Sequence, residues 1–74
     1  MRITVKLFAT LRIGRFDVEV REYPEGTTVR RVIETLNIPE REAALLFVEG
    51  RHAEPDRELS DGETIAVFPP VGGG

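Results

Sequence analysis

The residues with the clearest chemical potential stand at the end of the sequence as Val71-Gly72-Gly73-Gly74, directly behind Phe68-Pro69-Pro70. Three consecutive glycines carry no Cβ, so a backbone built from them can thread a channel too narrow for a side chain. With Gly74 as the last residue, the α-carboxylate is the only reactive group at the tip. Pro69 and Pro70 favour a stiff, extended stem that holds the tail away from the body. The arrangement is that of a presented carboxylate. The same three glycines also read as a frayed terminus or an expression remnant.

The rest of the chain offers little else that reacts. There are no cysteines, which excludes disulfides, thiolate metal sites and thiol nucleophiles. His52 is the only histidine, with no second histidine to share a metal and no thiol to activate. It reads as a surface residue. No glycine lies between a strand and a helix in a phosphate-binding pattern, and the carboxylates show no pairing that spacing can reveal. Catalytic, cofactor-binding and metal-binding residues are therefore not expected within the body of the chain.

Composition narrows the class. Seventy-four residues with a formal net charge of -3 make one small domain without a basic cluster, so nucleic acid is not an expected partner. No apolar run reaches the length of a membrane span, and the N-terminus alternates rather than forming a signal-peptide core. The cytoplasm is the expected location, and the absence of cysteine gives an oxidising compartment no support. Acidic residues gather from Glu49 to Glu63 and read as a solvated face partly balanced by Arg51 and Arg57. Lys6 is the only lysine.

The elements that must position the tail follow from periodicity. Ile3, Val5 and Leu7 alternate with polar residues, predicting a half-buried strand. Phe16, Val18 and Val20 alternate in the same way, after a connection marked by Gly14. Val29, Val32, Ile33 and Leu36 fall on one face of a helix that Thr27 or Thr28 can cap and that Asn37 and Pro39 stop. Arg30 and Arg31, at its positive end, read as neutral surface residues or as partner contacts. Leu45 to Val48 predicts a buried strand, Leu59 a core plug in an irregular segment, Ser60-Asp61-Gly62 a turn, and Thr64 to Phe68 the last strand. The order predicts an α+β roll with one helix packed on one sheet face.

Strand parity then places side chains. If Ile3, Val5 and Leu7 face the core, Phe8 falls on the opposite face; if Ile65 and Val67 face it, Phe68 falls outside. In the third strand either Leu45 and Phe47 or Leu46 and Val48 must also face outward. An outer face carrying Phe8, Phe68 and, in the first of those cases, Phe47 near the root of the tail is a candidate docking patch. The alternative is that these phenylalanines close the rim of the core.

Three segments give the chain a family resemblance. Phe8-Ala9-Thr10-Leu11-Arg12, Leu59-Ser60-Asp61-Gly62 and Phe68-Pro69-Pro70-Val71-Gly72-Gly73-Gly74 resemble, in order and over the whole chain, the signatures of the MoaD family and its ThiS relatives. The resemblance implies a ubiquitin-like β-grasp fold, with a mixed sheet of four to five strands and one helix. It divides the chain into a β-grasp domain over 1–68 and a flexible tail over 69–74. It further implies a sulfur carrier that is not itself an enzyme. A MoeB-like, ATP-dependent enzyme adenylates the carboxylate of Gly74, sulfur replaces the adenylate, and the thiocarboxylate donates sulfur to a pterin precursor inside a MoaE-like large subunit. Gly73 and Gly74 would pass the constriction, while Phe8, Arg12, Phe47, Phe68, Pro69, Pro70, Val71 and Gly72 would meet the partners. Arg12 would pair with a partner carboxylate or stand exposed and unemployed. The carrier itself would bind no cofactor, the ATP being used by the activating enzyme, and would be a monomer when alone.

Departures from the pattern are Ile13 where glutamate is frequent, short connections after the first strand and the helix, and Gly72 in place of alanine, serine or threonine. Four other readings remain open on the sequence: a ThiS-like carrier for thiazole synthesis, a carrier that feeds amino-acid sulfur, a ubiquitin-like protein modifier joined through Gly74 to lysines, and a β-grasp interaction module with an inert tail.

Overall fold

The computed structural model describes residues 1–71. Five strands, β1 (Arg2–Leu7), β2 (Val18–Glu22), β3 (Leu45–Val48), β4 (Arg51–His52) and β5 (Thr64–Phe68), form one sheet in the order β2-β1-β5-β3-β4. The central pair β1 and β5 is parallel; the neighbours on either side run antiparallel, so the sheet is mixed. One helix, α1 (Val29–Thr35), follows the β1–β2 hairpin. This is the β-grasp arrangement.

The helix begins where Thr28 in extended backbone accepts a 3.2 Å hydrogen bond from the Arg31 N–H, satisfying one of the donors that a helix start leaves unpaired. Thr28, not Thr27, is the cap; the Thr27 hydroxyl instead donates to the Pro24 carbonyl. The helix ends at Asn37, whose φ of 58° turns the chain out of the helical region. Its apolar face, Val29, Val32 and Ile33, lies over Ile3, Val5 and Leu7 of β1, Ile65 and Val67 of β5, and Leu46 and Val48 of β3. Leu11, Ile38 and Leu59 close the ends of this core. Burying a side chain of this size contributes about 1.5–3 kcal/mol.

Three features depart from the sequence expectation. The connection after β1 contains a 3₁₀ turn, Ala9–Arg12, which carries the buried Leu11. The chain after Glu49-Gly50 forms the short strand β4, since left-handed Glu49 and Gly50 (φ 50° and 77°) make a tight hairpin turn. The third concerns β2, whose valines do not face the core. Val18 pairs with Lys6 and Val20 with Thr4, so both lie on the face opposite Ile3 and Val5, at 57% and 50% exposure. Glu19 and Arg21 hold the inner side of β2, and Tyr23 fills the core from that edge with its hydroxyl 2.9 Å from Thr35 Oγ1. Phe16 leaves the alternation and packs against the core.

Candidate functional site

Inner and outer sheet faces separate at Leu7 and Phe8. Leu7 is fully buried, and the Phe8 N–H donates to the Val67 carbonyl at 3.2 Å, which keeps Phe8 in register with β5. Ala9 then adopts φ 52°, in the left-handed region, and the chain turns away from the sheet. That turn drops Leu11 into the core and folds Arg12 back: its Nε donates to the Leu7 carbonyl at 2.7 Å and its guanidinium carbon lies 5.3 Å from the Phe8 ring centre. The Phe8 to Arg12 segment thus sets one residue inside and two outside.

Phe8 stacks on Phe68 with ring centres 4.2 Å apart and planes 10° from parallel. Phe47 meets Phe68 edge-on at 5.7 Å, and His52 meets Phe47 edge-on at 5.9 Å. Arg12, Phe8, Phe68, Phe47 and His52 therefore form one continuous row across the outer face, perpendicular to the strands. Leu46 and Val48 face the core and Leu45 and Phe47 face outward, which resolves the orientation of β3. The three phenylalanines of the row are half-buried and do not belong to the core cluster, so they do not close its rim, and His52 at its end is exposed. Lys6 lies beside the row and, with Ala66 and Thr64, lines a shallow groove along it.

The stem begins at the middle of the row, directly after Phe68. The Phe68 carbonyl accepts from the Ala44 N–H at 3.0 Å, the last sheet contact of β5, and Pro69 follows. Pro69 is half-buried, Pro70 exposed, and Val71 84% exposed. Gly72, Gly73 and Gly74 lie outside the described residues.

Arg12 is employed within the chain, contrary to the reading of an idle surface arginine, although its Nε is also 3.6 Å from the exposed Asp17 carboxylate. Arg30 and Arg31 pair with Asp56 and Glu34 on the helix side, far from the row in the fold. Among the acidic residues from Glu49 to Glu63, Arg57 holds Glu63 with two bonds of 2.8 and 2.9 Å. These bonds, assisted by the Ser60 N–H, keep the Glu63 carboxyl below its ordinary range. The Leu59 to Gly62 segment is a structural tie: Asp61 accepts from the Arg2 N–H at 2.7 Å and the Gly62 N–H donates to the Arg2 carbonyl at 2.8 Å.

The structure adds four residues to the outer face around the docking patch: Lys6, Val18, Val20 and His52. Parity from Phe8 already implied Lys6. The valines needed the β1–β2 register, and His52 needed the existence of β4. Among the described residues no group of three or more metal-ligating side chains occurs, and no helix is long and apolar enough to cross a membrane.

The family model described as "ThiS family" matches residues 5–74. Among solved structures, a Pyrococcus furiosus protein described as molybdopterin converting factor subunit 1 is 34% identical, with 96% of this chain and 99% of that one covered and a TM-score of 0.75. The small archaeal modifier protein 1 of Haloferax volcanii shares the fold at 20% identity, 95% and 98% coverage and a TM-score of 0.79. Subunits 1 and 2 of the molybdopterin-converting factor of Helicobacter pylori were solved as a complex, and a chain from it shares the fold at 19% identity, full coverage of both chains and a TM-score of 0.67. No curated protein matches the chain. A family match over nearly the whole length, on a fold shared with these structures, means that this chain belongs to the ThiS family.

Proposed function

We propose that the protein is a sulfur carrier that serves as the small subunit of a molybdopterin synthase. The observation that carries this reading is the uncovered aromatic row centred on Phe68, the residue directly before the Pro69-Pro70 stem. A partner seated on the row receives the tail at a fixed distance from its dock. The 34% identical Pyrococcus protein supports the molybdopterin assignment, and the Helicobacter complex supports a MoaE-like large subunit as partner.

The chemistry needs no side chain of the carrier. In the active site of a MoeB-like enzyme, a Gly74 carboxylate oxygen attacks the α-phosphorus of ATP and pyrophosphate leaves. Hydrosulfide then attacks the acyl carbon and AMP leaves with that oxygen, so the product is a thiocarboxylate. In the large subunit this sulfur attacks a carbon of the pterin precursor and displaces an oxygen substituent from it; water then hydrolyses the resulting thioester, leaving the sulfur on the pterin and releasing Gly74 as its carboxylate. The carrier contributes binding and orientation. Phe8, Phe47 and Phe68 supply apolar area at little cost in side-chain entropy, and the proline stem limits the freedom lost when the tail inserts. Arg12, already ordered over Phe8, is placed to meet a partner carboxylate.

The test is the intact mass of the chain after incubation with a MoeB-like enzyme, ATP and a sulfur source, followed by thiocarboxylate-selective alkylation. The alkylation separates sulfur gain from oxidation of Met1, which has nearly the same nominal mass. An alkylated group mapped to Gly74 is expected. An unmodified chain, with an enzyme shown to be active on its own carrier and several such enzymes tried, overturns the proposal. Transfer to a thiazole precursor rather than a pterin would favour the ThiS-like carrier, and adducts on lysines of other proteins would favour the modifier.

A further inference from the structure

The outer edge of β2 carries a self-complementary pattern separate from the aromatic row. The strand is at the end of the sheet, and no described residue pairs with its outer side. Met1 and Tyr23 exchange two backbone hydrogen bonds of 2.7 and 2.9 Å, and the Leu7 N–H donates to Asp17 at 2.9 Å. The alternation of an antiparallel ladder therefore turns the backbone groups of Glu19 and Arg21 toward β1. It turns those of Val18, Val20 and Glu22 toward the open edge. Exposed edges of this kind are templates for another strand.

We propose that β2 pairs antiparallel with β2 of a second copy about a two-fold axis through Val20. In that register Val20 exchanges both backbone bonds with the partner's Val20, and Val18 exchanges them with the partner's Glu22. Glu19 then stands opposite the partner's Arg21, and Arg21 opposite the partner's Glu19, at the closer, non-hydrogen-bonded positions where cross-strand side chains interact most. The neighbouring two-fold registers that keep edge-facing groups opposed are centred on Glu19 or on Arg21. They set two glutamates or two arginines face to face, which is destabilising. The charge pattern thus selects one register, and the isologous contact closes on itself rather than building a fibre.

The apolar side chains agree with the charges. Val18 and Val20 are 57% and 50% exposed and project from the same face. On the two-fold axis Val20 packs against its own copy. In the single chain Glu19 and Arg21 already form a 2.6 Å ion pair along the strand, so pairing exchanges partners and adds little charge energy. A short edge contact of this size gives weak association, becoming visible between roughly ten micromolar and one millimolar. The chain is then a monomer when dilute, as the sequence reading expects, and a dimer when concentrated. The aromatic row stays uncovered in the pair, so this inference stands apart from the proposed function.

Sedimentation equilibrium of the full chain over that concentration range tests it. The weight-average mass is expected to rise from one chain toward two. V20K puts like charges on the axis and is expected to weaken association at least about tenfold. E19R alone and R21E alone are each expected to weaken it, while an equimolar mixture of the two associates, because the arginines of one copy then face the glutamates of the other. If R21E loses its fold with the Tyr23 contact, V20K and E19R still decide the matter. A mass that stays at one chain to one millimolar overturns the proposal. So does association of V20K equal to that of the unaltered chain, or a mixture no stronger than its components.

Discussion

The two faces of the sheet come from the same strands and differ in almost everything else. The inner face is aliphatic: Ile3, Val5, Leu7, Ile65 and Val67 are fully buried beneath α1. The outer face carries larger side chains, Phe8, Phe47 and Phe68, which remain half-exposed and touch mainly one another and Arg12 and His52. A domain this small has few residues with which to build a core, and all of its full burial is on one side. The large apolar groups on the other side do less for folding than their size would allow. That difference teaches where stability and recognition reside: one alternation in sequence specifies both, with the hand-over at Leu7-Phe8 and again at Val67-Phe68.

The comparison breaks if substitutions on the two faces cost the same stability. Leu7→Ala on the inner face is expected to cost about 2–5 kcal/mol in urea or thermal unfolding, through lost burial and the cavity left behind. Arg15 links the faces. Its guanidinium donates to the carbonyls of Leu36 and Asn37 at 3.0 and 2.9 Å and of Leu11 at 3.2 Å, tying the end of α1 to the 3₁₀ turn that aims Phe8. Arg15→Met is expected to cost about 2 kcal/mol by the same measurement, since charge-assisted bonds to otherwise open helix carbonyls are lost.

Phe68→Ala on the outer face is expected to cost only about 1 kcal/mol of stability, the worth of an aromatic pair with partial burial. Thiocarboxylate formation, followed by alkylation, is expected to fall at least about tenfold in the same variant. The smallest effect is electrostatic. Glu63 titrates below the ordinary carboxylate range, first because Arg57 donates to it, so its contribution is complete above the unfolded-state value near pH 4. That contribution is lost as pH falls through the lower folded-state value. Both partners are near the surface, so it amounts to less than about 1 kcal/mol. In acid unfolding curves, Glu63→Gln is expected to flatten the limb below pH 4 and leave neighbouring carboxylates unaffected.

Much of the fold was legible because its signals are local. The β1 alternation, a threonine cap at 27 or 28, the helix stripe ending at Asn37 and the turn at Gly62 each depend on a few adjacent residues. Phe8 and Phe68 were placed outside the core by parity alone. What stayed hidden depends on pairing between distant segments. The facing of Val18 and Val20 is decided by the register with Thr4 and Lys6, and β4 is two residues long and exists only against Phe47 and Val48. The β2 valines look inward in sequence because they are the apolar set of an alternating run, whereas the register puts Glu19 and Arg21 on the inner side and Tyr23, in step with them, supplies the core residue. The 3₁₀ turn is not legible because it begins at Ala9, an ordinary helix former that here takes a left-handed conformation.

The central claim is that the outer aromatic row is the dock from which the tail is delivered. ATP–pyrophosphate exchange by a MoeB-like enzyme measures it most directly, using the unaltered chain against a Phe8→Ser/Phe68→Ser variant shown by circular dichroism to be folded. The account expects exchange with the unaltered chain and at least about a tenfold loss of kcat/KM in the variant, although Gly74 is intact in both. Equal exchange by the two chains would contradict it and would leave the row with no part in presenting the carboxylate.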